Sequence, residues 1–222
     1  MSQKDNYIYR YERKWVFDNA SYIDIFNKAL KSKFLFVVQH PKRHINSLYL
    51  DNFKRSSIIE NLNGTSERTK VRVRWYGKNQ YILNKPKLEI KIKKNFLNYK
   101  KIFPLNNLNK LNIKNMKDVK KICNEVEKIL KKKTLVSTIS THYQRIYLVS
   151  SNKKIRATID YRMKGSNFYY HFQNPILMYS KKLILELKYN KEFDAYVRRN
   201  IQNISSRFSK NSKYVNFGTK SF

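Results

Sequence analysis

Residues 70–75, Lys-Val-Arg-Val-Arg-Trp, alternate three basic side chains with Val71, Val73 and Trp75. In an extended strand successive side chains point to opposite faces, so Lys70, Arg72 and Arg74 share one face and their apolar neighbours the other. The pattern recurs. In 7–17, Ile8, Arg10, Glu12, Lys14 and Val16 alternate with Tyr9, Tyr11, Arg13, Trp15 and Phe17; in 88–93, Leu88, Ile90 and Ile92 oppose Glu89, Lys91 and Lys93. The strand predicted over 142–149 carries Tyr143, Arg145 and Tyr147 on one face, and 155–160 sets Arg156, Thr158 and Asp160 against Ile155, Ala157 and Ile159. In 183–189, Ile184, Glu186 and Lys188 oppose Leu185, Leu187 and Tyr189. A sheet face lined repeatedly with Arg, Lys and a few acids suits a polyanion and a metal.

Two helices interrupt the strands. Asp18 or Asn19 is positioned to cap a helix through about Lys31, with Tyr22, Ile25, Phe26 and Leu30 on one side. Residues 107–133 form the longest helical stretch, with Val119, Ile122, Cys123, Val126, Ile129 and Leu130 as its stripe. A strand is predicted over 45–51, where Asn46, Leu48 and Leu50 oppose Ser47, Tyr49 and Asp51. Asn63-Gly64 marks a turn before the strand at 69–76, and a short helix near 192–204 precedes a basic tail. Short connections favour antiparallel pairing, and the expectation is one α+β domain of about eight strands over 1–222, elaborated by the helix of 107–133.

Charge narrows the partners. The chain carries 48 Lys+Arg against 15 Asp+Glu, a formal net charge of +33, which implies an anionic partner. Lys, Asn, Ile, Tyr and Phe are all abundant, as AT-rich coding would produce, so the position of each charge tells more than the total. Only four glycines are present, which argues against a glycine-rich phosphate loop or dinucleotide fingerprint. The four histidines show no metal-ligand spacing, and no nucleophile–base–acid triad stands out. Cys123 is the single cysteine and reads as a small buried residue in a reducing cytoplasm. The first residues lack the apolar core of a signal peptide, and no stretch approaches the roughly 20 apolar residues needed to span a bilayer.

Glu12, Glu89, Asp160 and Glu186 lie on the basic faces. They either offset neighbouring cations or hold a hard divalent cation whose other ligands are phosphate oxygens and water. A nucleic-acid binder gains nothing from acids among its phosphate contacts. Arginine is well matched to phosphate, because its planar fork meets two oxygens at once.

Eight motifs in order resemble the VTC domain, the polyphosphate polymerase branch of the triphosphate tunnel metalloenzymes, a CYTH-like superfamily. They are Tyr11-Glu-Arg-Lys14, Arg43-His-Ile-Asn-Ser-Leu-Tyr-Leu-Asp51, Lys70-Val-Arg-Val-Arg-Trp-Tyr-Gly77, Leu88-Glu-Ile-Lys91, Tyr143-Gln-Arg145, Arg156-Ala-Thr-Ile-Asp160, Leu185-Glu-Leu-Lys-Tyr189 and Lys210-Asn-Ser-Lys-Tyr214. The resemblance implies an eight-stranded antiparallel β-barrel tunnel with flanking helices. It also implies metal-dependent transfer of the ATP γ-phosphate onto a growing polyphosphate chain. Carried over by position, Arg72, Arg74, Lys91 and Lys213 are the catalytic cations. Lys14, Tyr143, Arg145, Arg156, Lys210 and Ser212 bind substrate, and Glu186 holds Mn2+ or Mg2+. Lys70 has no role in the family pattern, although alternation alone includes it.

Three departures qualify the match. The wider superfamily opens with Glu-x-Glu-x-Lys, and here Arg10 replaces the first Glu, which weakens a second metal position. Ser209-Lys210 and Ser212-Lys213 leave the C-terminal motif with two registers. The eukaryotic relatives carry a phosphate-sensing domain and transmembrane helices not found here, so membrane coupling is expected to need a separate partner. The expected location is cytoplasmic, or peripheral at the inner face of a membrane. Competing readings are an inorganic tripolyphosphatase or nucleoside triphosphatase of the same fold, and a non-catalytic binder of polyanions or nucleic acid.

Overall fold

The computed structural model describes residues 10–94, 97–132, 134–168, 175–204, 209 and 211–219. Lys210 and the predicted strand start at 7–9 lie outside them. Nine strands and five α-helices follow in order: β1 (Arg10–Phe17), α1 (Tyr22–Leu30), β2 (Phe36–Asp51), α2 (Ser56–Leu62), β3 (Glu67–Tyr76), β4 (Lys87–Lys94), β5 (Leu97–Pro104), α3 (Met116–Leu130), β6 (Val136–Ser150), β7 (Arg156–Asn167), β8 (Leu177–Ser180), β9 (Leu183–Asn190), α4 (Asp194–Asn200) and α5 (Lys213–Gly218). The fold is α+β with a mostly antiparallel sheet in the order β1-β9-β7-β6-β2-β3-β4-β5, β8 pairing with β7. Among the described residues the count is nine strands, not eight. Among the described residues the order has β1 and β5 at its ends. No helix among them is long and apolar enough to cross a membrane.

The chain divides into two compact units. The first is Met1–Lys42, Arg145–Tyr161 and Lys181–Asn211; the second is Arg43–Gln144, Arg162–Ser180 and Ser212–Phe222. In the first, β9 pairs with β1 and β7, with Leu185 opposite both Trp15 and Ile159. Trp15, Ile155, Ala157, Ile159, Leu183, Leu185, Leu187 and Tyr189 form one core with Ile25 and Ala29 of α1 and Val197 of α4. Its strand members are the apolar set that alternation predicts. Each fully buried Ile or Leu contributes about 1.5–3 kcal/mol relative to exposure. Helix α1 starts later than expected. Asn19 adopts a positive φ of 57°, and Ser21 is the N-cap, its hydroxyl accepting from the Ile23 amide at 3.2 Å.

In the second unit β3 pairs with β2 and β4, and β4 pairs with β5. Leu48, Leu50, Val71, Val73, Trp75, Leu88 and Ile90 pack against Val119, Ile122, Cys123 and Val126 of α3. The helix occupies the second half of the predicted stretch. Its cap is Asn115, which accepts from the amides of Lys117 and Asp118, and Lys110 just upstream has φ 68°. Helix α2 was not anticipated, since seven residues are too few to establish a helical period. The turn signal after it holds, with Gly64 at φ 71° in the left-handed region that glycine adopts without a Cβ penalty.

Helix α5 is docked by three side chains. Tyr214 stacks on Tyr49 with centroids 4.6 Å apart, donates to Asp51 Oδ2 at 2.6 Å and accepts from Thr138 at 3.4 Å. The Gly218 carbonyl accepts from Arg55 at 2.6 Å. Phe217 rests on Gly165 so closely that a Cβ there would lie 2.4 Å from its ring and 2.9 Å from its own Cβ. The Phe217 Cβ cannot swing away independently of the helix. Gly165→Ala is therefore expected to cost about 1–3 kcal/mol and to lower the melting temperature by several degrees. Thermal unfolding followed by circular dichroism checks this; an unchanged melting temperature would contradict the close packing.

Candidate functional site

In the second unit the basic face of β3 meets the acid of β4. Register places Arg72 directly opposite Glu89 on one side and Tyr49 on the other. Arg72 Nε and Nη2 lie 2.8 and 2.7 Å from Glu89 Oε2, and Nη1 donates to the Tyr49 hydroxyl at 3.1 Å. Arg74 is buried, with Nη1 3.2 Å from Glu89 Oε2. It also makes longer bonds to Ser47 (3.4 Å) and to the hydroxyl of buried Tyr143 (3.4 Å). Lys100 of β5 donates to Glu89 Oε1 at 2.7 Å. One carboxylate thus gathers three cations.

Burial pushes the Glu89 carboxyl up, but Arg72, then Arg74 and Lys100, outweigh it and bring its pKa down to about 2. A carboxylate depressed in the folded state adds stability above its unfolded pKa of about 4.3 and loses it as pH falls toward 2. The full contribution is on the order of 3 kcal/mol. Acid unfolding should therefore bring wild type and Glu89→Gln progressively together between about pH 5 and pH 2. Parallel curves over that range would rule out an ionised, cation-held Glu89.

Helix α5 and its cap supply Lys213 and Ser212, and β4 supplies Lys91. Ser212 is the helix N-cap, its hydroxyl accepting from the Val215 amide at 3.4 Å and from Lys70 Nζ at 2.9 Å. Lys213 Nζ stands 4.5 Å over the Tyr143 ring. Lys91 is half-buried and directly opposite both Lys70 and Lys100. Arg72, Arg74, Lys91, Tyr143, Ser212 and Lys213 thus all belong to this unit.

The first unit carries the others. Lys14 Nζ lies 3.1 Å from Glu12 and 3.6 Å from Glu186, and donates to the Asn211 carbonyl at 3.2 Å. Glu186 Oε1 is 2.9 Å from Lys188, which also approaches Glu12 at 3.8 Å. Burial would raise Glu186, but Lys188, Lys14 and Arg145 hold it well below the ordinary carboxylate range. Burial lowers Lys14, yet Glu186 and Glu12 prevail and its pKa is raised. Arg145 grips buried Asp160 bidentately at 2.5 and 2.7 Å. Arg156 is exposed and pairs in register with Lys188. Predicted Lys210 lies outside the described residues.

Five residues outside the predicted site set contribute. Tyr49 was visible as a strand residue, but nothing marked its hydroxyl as the partner of Arg72. Asp51 and Tyr214 meet across 163 residues. Lys100 left no signal, since Lys100-Lys101 breaks alternation. Lys70, set aside by the family pattern, reaches the Ser212 cap.

The arrangement presents Arg forks, ammonium groups and phenolic hydroxyls beside ionised carboxylates, the chemistry that grips phosphoryl oxygens. Solved structures share the fold. A candidate adenylate cyclase from Vibrio parahaemolyticus superposes with a TM-score of 0.54 at 9% identity, covering 94% of this chain and 97% of its own. The PH1819 protein from Pyrococcus horikoshii OT3 gives 0.50 at 12% identity, covering 95% and 99%. No curated protein matches the sequence. The VTC domain model matches residues 9–222, nearly the whole length, and the chain belongs to the VTC domain family.

Proposed function

We propose that this protein is a metal-dependent polyphosphate polymerase, working in the basic tunnel that the family resemblance implies. The observation that carries the reading is the Arg72/Arg74 pair, whose forks converge on one carboxylate oxygen at 2.7–3.2 Å. Guanidiniums that can meet so small an anionic centre can also meet a phosphoryl group. The terminal oxygen of the bound chain attacks the ATP γ-phosphorus in line; the bond to the β–γ bridging oxygen breaks, and ADP leaves with the electron pair. Arg72, Arg74, Lys91 and Lys213 neutralise the charge that spreads over the transferring group, and Lys14, Arg145, Arg156, Lys210, Tyr143 and Ser212 hold the chain. No covalent intermediate on the protein is required.

The Glu186 region fits Mn2+ or Mg2+. Its carboxylate is kept ionised and shares both Lys14 and Lys188 with Glu12, giving the hard oxygen donors that such a cation takes together with phosphate oxygens and water. When bound there, the cation would offset charge on non-bridging phosphate oxygens. The reading places the enzyme in the cytoplasm, with any membrane coupling through a separate partner.

Purified protein incubated with ATP and Mn2+ should produce polyphosphate visible on a gel. Orthophosphate release without chain growth would select a triphosphatase instead. Metal-independent, salt-sensitive binding of nucleic acid without ATP turnover would leave a polyanion-binding protein.

A further inference from the structure

We infer that Glu89 is a positioning residue that fixes the forks of Arg72 and Arg74 on one carboxylate and, by occupying them, limits how tightly they hold a phosphate chain. The inference rests on the phosphate-transfer reading above. Both Glu89 oxygens are engaged: Oε2 by Arg72 at 2.7 and 2.8 Å and Arg74 at 3.2 Å, Oε1 by Lys100 at 2.7 Å and Arg74 at 3.5 Å. The carboxylate is buried and cross-strand register sets it against Arg72, so the arrangement is built into the sheet. Three converging cations make this a poor place for a divalent ion. Glu186 has two ion-pair partners instead, Lys188 at 2.9 Å from Oε1 and Lys14 at 3.6 Å from Oε2.

A phosphoryl group offers oxygens of the same kind, so a bound chain must share these cations with Glu89. Without the carboxylate, three cations would face the chain uncompensated. A polymerase must let its product advance after each transfer, and binding that is equally strong in ground and transition states adds nothing to turnover. The carboxylate therefore does two things: it aims the guanidiniums and weakens their ground-state grip.

Binding and kinetics separate this role from a merely structural one. Tripolyphosphate binding by isothermal titration is expected to be on the order of tenfold tighter in Glu89→Gln than in wild type, because one nearby negative charge is gone. KM should fall with it, while kcat drops by about tenfold as the forks lose their aim. Glu89→Asp keeps the charge but withdraws it by one methylene; KM should return toward wild type while kcat stays low. Should the Gln variant not fold, the Asp variant decides: a lowered kcat without a raised KM supports the assignment, and a raised KM overturns it. Unchanged or weaker tripolyphosphate binding by a folded Glu89→Gln overturns it too. If wild type binds no tripolyphosphate, the phosphate-transfer reading falls, and this inference with it.

Discussion

Arg72→Ala is expected to lower ATP-dependent polyphosphate synthesis by on the order of a hundredfold or more, the usual cost of removing one donor aimed at charge developing in the transition state. The protein should remain folded. Glu89 keeps Arg74 and Lys100 after the change, so no buried carboxylate is left alone. Arg72→Lys sharpens the test, because it retains the charge but not the planar fork that reaches Glu89 and Tyr49 together. Its activity should fall between Ala and wild type. Product length on a gel and the initial rate of ADP formation provide the measurement. Activity in Arg72→Ala within a few-fold of wild type would remove Arg72 from the site.

Glu186→Gln carries the other large effect, and it acts in two ways. The buried carboxylate balances Lys14 and Lys188, but both ammoniums are partly exposed and keep Glu12, so its removal costs about 1–3 kcal/mol. The melting temperature should drop accordingly. Losing the candidate metal ligand should also reduce activity on the order of a hundredfold at wild-type metal concentration and move the Mn2+ titration to higher concentration. A variant with lowered melting temperature but an unshifted Mn2+ titration would make Glu186 a structural counter-ion and send the search for the metal elsewhere.

Much of the face assignment was legible beforehand because it is local. A pleated strand has a period of two whatever its partner, so Val71, Val73 and Trp75 had to oppose Lys70, Arg72 and Arg74. The same holds for Leu185 and Leu187 against Glu186 and Lys188, and the buried sets confirm both. Helix ends were less legible. Asn19 and Ser21 both have capping side chains, and only the left-handed turn at Asn19 decides for Ser21. Strand β5 and helix α2 were missed because short segments, one with adjacent lysines, carry no clear period.

By itself, then, the amino-acid sequence determined which side chains share a face, that these faces are basic, and that acids lie among them. Only the tertiary structure decided which acid meets which cation. Glu89 faces Arg72 because β3 and β4 pair in one register, and Tyr49 reaches the same guanidinium through the register of β2 with β3. Lys100 joins them from β5, and Tyr214 docks α5 on Tyr49 and Asp51 from far along the chain. Alternation is set by backbone sterics within a few residues, whereas register and docking come from burying apolar surface among segments distant in sequence.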